Sequence, residues 1–451
     1  MRDNIGMGFT RLRRVYARPR EGINPSPTIA GSSAPIKSKA YPERSLLMAE
    51  QGNAYIVRLS SQRAPLWESK KPLLLELDLE LTERCNNNCL HCSINLPADD
   101  RGAQKRERST EAVELALKEA ASLGCLTVRF TGGEPLLRRD FEELYLYARR
   151  LGLKVLLFTN ATLITPSLAE LFSRIPPLEK IEVTVYGMKR TSYEAATRTP
   201  GSFEAAWRGI NLLLEKKVPF VVKGALLPPN KDEVKAFENW ASTLPWMEGP
   251  PSYAMFFDLR CRRDEKKSVS IRKIRTAPEE GVRFLARRNQ ERLKEMKAFC
   301  SRFIGPPGDD LFSCGAGVNG GCLDAYGRFQ LCMDLRHPDT VYDLTRGSLN
   351  EAMKRFFPQV RAMKAKHPGY LARCARCFLK GLCEQCPGKS WMEHGTLDTP
   401  VEYLCDIAHA EARQIGLLDA REKGWEVKDW RERIRNMSEG IESERRIAYG
   451  D

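Results

Sequence analysis

The chain has 451 residues, is 42% hydrophobic and 29% charged, and carries a formal net charge of +14. This composition belongs to globular chains and excludes disordered, collagen-like and membrane-embedded classes. The longest apolar stretches, such as 73–75 and 155–158, are strand-sized and far below the ~20 residues of a membrane span. Arg11, Arg13 and Arg14 near the start are followed by no apolar segment of a signal peptide, so a cytoplasmic location is expected. In a reducing compartment, fourteen cysteines in local clusters read as metal ligands rather than disulfides.

The charge is uneven. Residues 1–48 hold nine Lys/Arg against three Asp/Glu, and residues 260–302 hold fifteen against six. Such surfaces attract nucleic acid, phosphates or acidic peptides. Without a nucleic-acid module signature, a solvated or peptide-docking face is the expected reading.

In chain order, residues 1–40 are rich in Pro, Gly, Ser and Arg and read as a disordered or basic N-terminal arm. Residues 41–71 read as a small accessory element with one strand over 54–59. From 72 the pattern is regular. Strands are predicted at 73–81, 126–130, 154–159, 180–186, 220–226 and 253–259. Between them fall helices at 110–123, 141–151, 167–172, 203–216 and 231–243, the first capped by Ser109 or Thr110. Strands alternating with helices mean a parallel sheet with right-handed crossovers, so the fold class is α/β, a partial (β/α)6 TIM-like barrel over 72–260. Residues 261–299 read as a basic helical linker. Residues 300–410 form a small Cys-rich domain whose Gly-rich texture needs metal crosslinks to build a core. A charged helical tail follows over 411–451.

The first cysteine cluster lies in the loop after the first strand: Cys85-Asn86-Asn87-Asn88-Cys89-Leu90-His91-Cys92. Loops at the C-terminal ends of barrel strands carry the chemistry. Three thiolates can hold three irons of a cubane and leave the fourth open, as a catalytic metal needs. A zinc knuckle is the alternative, but it wants a fourth ligand, and His91 is too close to Cys92 to supply it easily.

The second strand ends in Thr131-Gly132-Gly133-Glu134-Pro135 and the third in Thr159-Asn160-Ala161-Thr162. Paired glycines let a backbone approach a ligand closely, and Glu134 offers a carboxylate to a cation. Ala161 requires its backbone to avoid positive φ. The fourth strand runs into Val185-Tyr186-Gly187, followed by Pro200-Gly201-Ser202-Phe203. In spacing and order these segments resemble radical S-adenosylmethionine (SAM) enzymes over residues 72–260. The resemblance implies a [4Fe–4S] cluster on Cys85, Cys89 and Cys92, with SAM chelating its open iron. It implies SAM contacts from Gly132, Gly133, Glu134, Pro135, Thr159 and Asn160, and a place for His91 near the adenine.

Downstream, Cys314, Cys332, Cys374, Cys377, Cys383, Cys386 and Cys405 resemble the SPASM extension of peptide-modifying radical SAM proteins. One spacing departs, with two residues between Cys383 and Cys386. With Cys322 there are eight thiols, enough to saturate two cubanes. The resemblance implies auxiliary [4Fe–4S] clusters on Cys314, Cys322, Cys332 and Cys386, and on Cys374, Cys377, Cys383 and Cys405. Alone, the run at 374–386 reads equally as a zinc ribbon. Of the remaining three, Cys125 reads as core, and Cys261 and Cys300 receive no role.

The expected activity is reductive SAM cleavage and hydrogen abstraction from a ribosomal peptide or protein. A thioether or carbon–carbon crosslink, or an oxidised side chain, would result. The implied partners are a substrate with an acidic leader and an electron donor such as ferredoxin or flavodoxin. Asp334 is the candidate base beside the first auxiliary cluster, with a solvent-facing turn carboxylate as its plainer reading. A sulfatase-type formylglycine maturase, a tetrapyrrole-modifying enzyme whose basic patches meet propionates, and a zinc-rich interaction module are the alternatives.

Overall fold

A computed structural model describes residues 73–287, 297, 299–300 and 308–437. The arm over 1–40, the element over 41–71 with its strand at 54–59, and most of the linker's second half lie outside them.

Strands β1 (Glu76–Thr82), β2 (Thr127–Gly132), β3 (Lys154–Thr159), β4 (Leu178–Val185), β5 (Phe220–Ala225) and β6 (Ser252–Ala254) pair in parallel and in chain order. Between them run α1 (Thr110–Ser122), α2 (Phe141–Arg150), α3 (Pro166–Arg174), α4 (Arg190–Thr197), α5 (Ser202–Glu215) and α6 (Val234–Ala241). This is the expected partial barrel. Ser109 is the cap of α1, its hydroxyl accepting the Ala112 amide at 3.3 Å. Two elements depart from their sequence patterns. The last strand stops at Ala254, and α4, too polar to stand out, adds a helix to the fourth crossover.

β1 shows how the sequence divides the barrel's two surfaces. Leu77, Leu79 and Leu81 are fully buried in the main core with Val113 and Leu117 of α1. Between them Asp78 and Glu80 face the lumen, because side chains alternate along a strand. Asp78 pairs with Arg129 of β2 at 2.9 Å, and Glu182 of β4 with Lys223 of β5 at 3.0 Å. TIM-barrel interiors are dominated by branched aliphatics, so buried charges here signal a site above them.

The sheet does not end at β1. Strand β7 (Gly320–Leu323) pairs parallel to its free edge, followed by the antiparallel β8 (Arg328–Gln330) and β9 (Val341–Asp343), making nine strands. Thus the Cys-rich region extends the barrel sheet. Helices α7 (Glu265–Ile274) and α8 (Pro278–Ala286) follow β6, and α9 (Pro387–His394) and α10 (Glu402–Gln414) lie beyond β9. Within the described part of the last charged stretch, helix α10 ends at Gln414, before Gly416 at φ +79°, and helix resumes over 430–437; residues 438–451 of that stretch lie outside the described residues. Among the described residues no helix is long and apolar enough to cross a membrane.

Candidate active site

At the C-terminal ends of β1 to β6 lies an open cavity of about 970 Å³, continuous with solvent. Its wall includes Cys85, Cys89, Cys92, His91, Gly132, Gly133, Glu134, Thr159 and Asn160. From Cys85 to Asp258, sequence positions up to 173 residues apart thus meet on one surface. Pro135 stands just behind, opening a 3-10 turn whose Leu136 amide donates to Glu134.

The two glycines fix the geometry. Gly132 has φ +121°, and a Cβ on it would fall 2.1 Å from the Thr82 carbonyl oxygen. A Cβ on Gly133 would fall 2.1 Å from the Arg84 carbonyl oxygen. Only glycine lets the two backbones meet, so the Gly133 and Glu134 amides donate to the Thr82 and Arg84 carbonyls at 2.6 and 2.9 Å. The segment leading into Cys85 is thereby locked to Glu134.

Glu134 is buried, and burial pushes its pKa up to about 7. Its carboxylate accepts from the Thr159 hydroxyl and the Asn160 amide, both at 2.8 Å. The Asn160 side chain donates to Asn86 Oδ1 at 3.0 Å and to Cys85 Sγ at 3.7 Å. The turn that presents these groups contains Ala161 at φ +62°, against the expectation that Ala there avoids positive φ. The amides of Ala161 and Thr162 donate to Thr159 Oγ1 and Asn160 Oδ1, both at 3.0 Å. These bonds impose the left-handed backbone at a cost of about 1 kcal/mol.

The cysteine loop is clamped from both sides. Asn88 and Leu90 donate to the Thr197 and Ala196 carbonyls at the end of α4, and Arg198 reaches back to the Asn88 carbonyl at 2.7 Å. On the other flank the Asn95 amide donates to Cys92 Sγ at 3.4 Å, and Arg260 to the Cys92 carbonyl at 3.0 Å. Burial, reinforced by mutual repulsion, pushes the Cys85 thiol well up and the Cys89 thiol up to about 12. Thiolates can persist in such a place only with a cation between them.

The donor set fits a cluster and a polar ligand. A cubane takes each thiolate at a separate corner. His91, kept neutral with a pKa of about 4 by burial, packs on Phe257 at 4.9 Å between ring centroids, and its Nδ1 has no partner. Both side-chain polar atoms of buried Asn87 also lack partners, and both residues line the cavity. Asn87, Lys223 and Asp258 are wall residues that motif reading missed. Asn87 was legible inside the cysteine loop, whereas the other two carry no local signal.

A second cavity, of about 480 Å³, is lined by Cys374, Cys377, Cys383 and Cys405 together with Arg373, Lys380 and His409. Arg373 donates to Cys405 Sγ at 3.6 Å, and the Gln385 amide to Cys383 Sγ at 3.4 Å. Cys314, Cys332 and Cys386 form a further group around Asp334, and burial pushes the Cys386 thiol up to about 12. Cys322 is fully buried on β7, and the charges acting on it are Glu80, Asp78, Arg336 and Asp324. Asp334 stands with the Cys314 group; the carboxylate lining the first cavity beside Glu134 is Asp258. Cys125 is buried and donates to the Thr127 carbonyl at 3.3 Å.

Residues 79–241 match the radical SAM superfamily. The chain carries a radical SAM domain. Such domains use a [4Fe–4S] cluster and SAM. AdoMet-dependent heme synthase of Methanosarcina barkeri is 32% identical over 192 residues, covering 42% of this chain and 53% of that protein. PqqA peptide cyclase of Rhodopseudomonas palustris is 42% identical over 87 residues, 19% of this chain and 22% of its own. The chain spans about half the length of the curated relatives it matches. In fold it is similar to Streptococcus suis SuiB bound to S-adenosylmethionine, with a TM-score of 0.55, 14% identity and 83% coverage of each chain.

Proposed function

We propose that this radical SAM enzyme cleaves SAM reductively and abstracts hydrogen from a ribosomal peptide or protein, with two auxiliary [4Fe–4S] clusters in the Cys-rich region. The observation that carries it is the shared wall of the first cavity, where the three thiols face Glu134, Thr159 and Asn160. Cys85, Cys89 and Cys92 would hold the cluster. When bound and reduced, it supplies the electron that splits SAM into methionine and a 5′-deoxyadenosyl radical. Glu134, kept dry and fixed by three donors, presents a carboxylate to the SAM ammonium. His91 and Phe257 offer an apolar face to the adenine, and the unpartnered Asn87 amide waits for a polar group. Seven of the eight cysteines beyond residue 300 line the second cavity or group around Asp334, and they favour a peptide substrate, as does likeness to a peptide cyclase.

Anaerobic reconstitution tests this reading. About twelve iron per chain and SAM-dependent release of 5′-deoxyadenosine support it, and zinc without iron refutes it. A second reading, tetrapyrrole modification, is favoured by likeness to a heme synthase. Binding of an iron porphyrin, followed by its absorption band, separates the two.

A further inference from the structure

The contacts that join the two cysteine-bearing halves have no part in the proposed chemistry. Cys386 caps α9: its sulfur accepts the backbone N–H of Lys389 at 3.5 Å, with Pro387 at the first helical position. A thiolate there sits at the favourable end of the helix dipole. The ammonium of the same Lys389 lies 3.1 Å from Asp258 Oδ1 and 2.5 Å from Glu384 Oε2. Its side chain is 10% exposed, and Asp258 lines the SAM cavity. One residue therefore holds a sulfur of the Cys314 group and a carboxylate of the SAM cavity.

The segment running on from Asp258 ties the same two places together. Arg260 donates to the Cys92 carbonyl and, at 3.2 Å, to Asn95 Oδ1, and the Cys261 amide donates to the Ser93 carbonyl at 3.2 Å. Toward α9, Trp391 donates from its indole to the Cys261 carbonyl at 3.3 Å, and Arg263 donates to the Trp391 carbonyl at 2.6 Å. Gly388 lies so close to the Asp334 backbone that a Cβ would meet it at 2.9 Å. There is thus little slack between Cys386 and Cys92. A buried ammonium is stable only while its carboxylates stay in place, so a shift of α9 must carry Asp258 with it or orphan a charge.

We propose that Lys389 is a positioning residue that couples occupancy of the Cys314, Cys332 and Cys386 site to SAM binding at the triad of Cys85, Cys89 and Cys92, through Asp258. The inference rests on the cluster assignments of the proposed function. Coupling between two sites is a free energy carried by differential contacts, and the Asp258–Lys389–Cys386 chain supplies them.

The test measures SAM affinity by calorimetry on anaerobically reconstituted full-length protein, with the paramagnetic resonance spectrum of the reduced triad cluster as second readout. Cys386→Ala should weaken SAM binding about tenfold. Lys389→Met and Asp258→Asn should each do the same with full iron content, and the double variant should be no worse than either single one. All three should show the same altered SAM-induced spectrum, and Lys389→Arg should restore both readouts. Wild-type affinity in Cys386→Ala would show that no coupling exists. Wild-type affinity in Lys389→Met with a weakened Cys386→Ala would show that it runs elsewhere. Either outcome overturns the proposal. Failure of the underlying reading looks different, since the wild type itself would then lack iron or not bind SAM.

Discussion

Replacing Arg336 by Met should be among the most damaging single changes in the described chain. Arg336 pairs with Glu80, and its Nη1 lies 3.5 Å from Glu83 and 3.8 Å from Asp324. Arg262 completes the group, 2.6 Å from Glu83 and 2.7 Å from Asp324. Three carboxylates thus face two guanidinium groups, and the Glu80 and Asp324 side chains are 0% exposed. Met fills similar volume but leaves Glu80 buried without its cation. Breaking a buried pair in this way costs about 4 kcal/mol, or roughly 4 °C in Tm for a chain of 451 residues at about 2 cal/mol/K of unfolding entropy per residue. Burial already holds Glu80 above the ordinary carboxylate range, with Arg336 opposing the rise. A carboxylate whose folded pKa is raised costs stability while ionised, and the cost lifts as pH falls through the folded value. Without Arg336 that value climbs further, so the variant should recover part of its deficit on acidification below neutral pH. Thermal melts from neutral to mildly acidic pH measure this, and adding Glu80→Gln should restore much of the loss. A melt within about 2 °C of wild type at neutral pH, or a deficit that grows with acid, would refute the reasoning.

Three further outcomes are expected. Glu134→Gln should weaken SAM binding about tenfold by calorimetry. The wild type should gain affinity as pH rises through about 7, since burial raises the Glu134 pKa to about 7, and the variant should lack that gain. Replacing Cys85, Cys89 and Cys92 together by Ala should abolish 5′-deoxyadenosine formation, and iron analysis should fall by about four per chain while about eight remain. Gly132→Ala should lower Tm by several degrees and loosen the triad loop, because its Cβ would meet the Thr82 carbonyl at 2.1 Å. Unchanged stability there would mean that the two backbones are free to separate.

The motif-bearing half of the site was legible because its chemistry is local. A loop of eight residues holds three thiols, and the strand-end segments carry their own glycines and polar side chains. Period and length sufficed for the six parallel strands, since strands buried on both faces read as apolar runs. What escaped were groups whose meaning is long-range. Lys223, Asp258, Arg260 and Lys389 look like ordinary charged residues until the fold buries them. Ala161 misled for a related reason: propensity disfavours its left-handed backbone, but two side-chain hydrogen bonds outweigh that preference.

The pairing of β7 with β1 changes what the Cys-rich region is for. A barrel of six strands leaves β1 with an unpaired edge directly beneath the loop that carries the triad. Unpaired backbone groups there would need another partner or water. The register Glu76 with Gly320, through Leu79 with Leu323, satisfies that edge, and the turn after β8 then delivers Arg336 to Glu80. The same stretch of chain carries Cys314, Cys322 and Cys332. Sheet completion, charge neutralisation and cysteine placement are therefore one structural event. That is the physical reason the Cys-rich region can hold its thiols at fixed distances from the cavity at the top of the barrel.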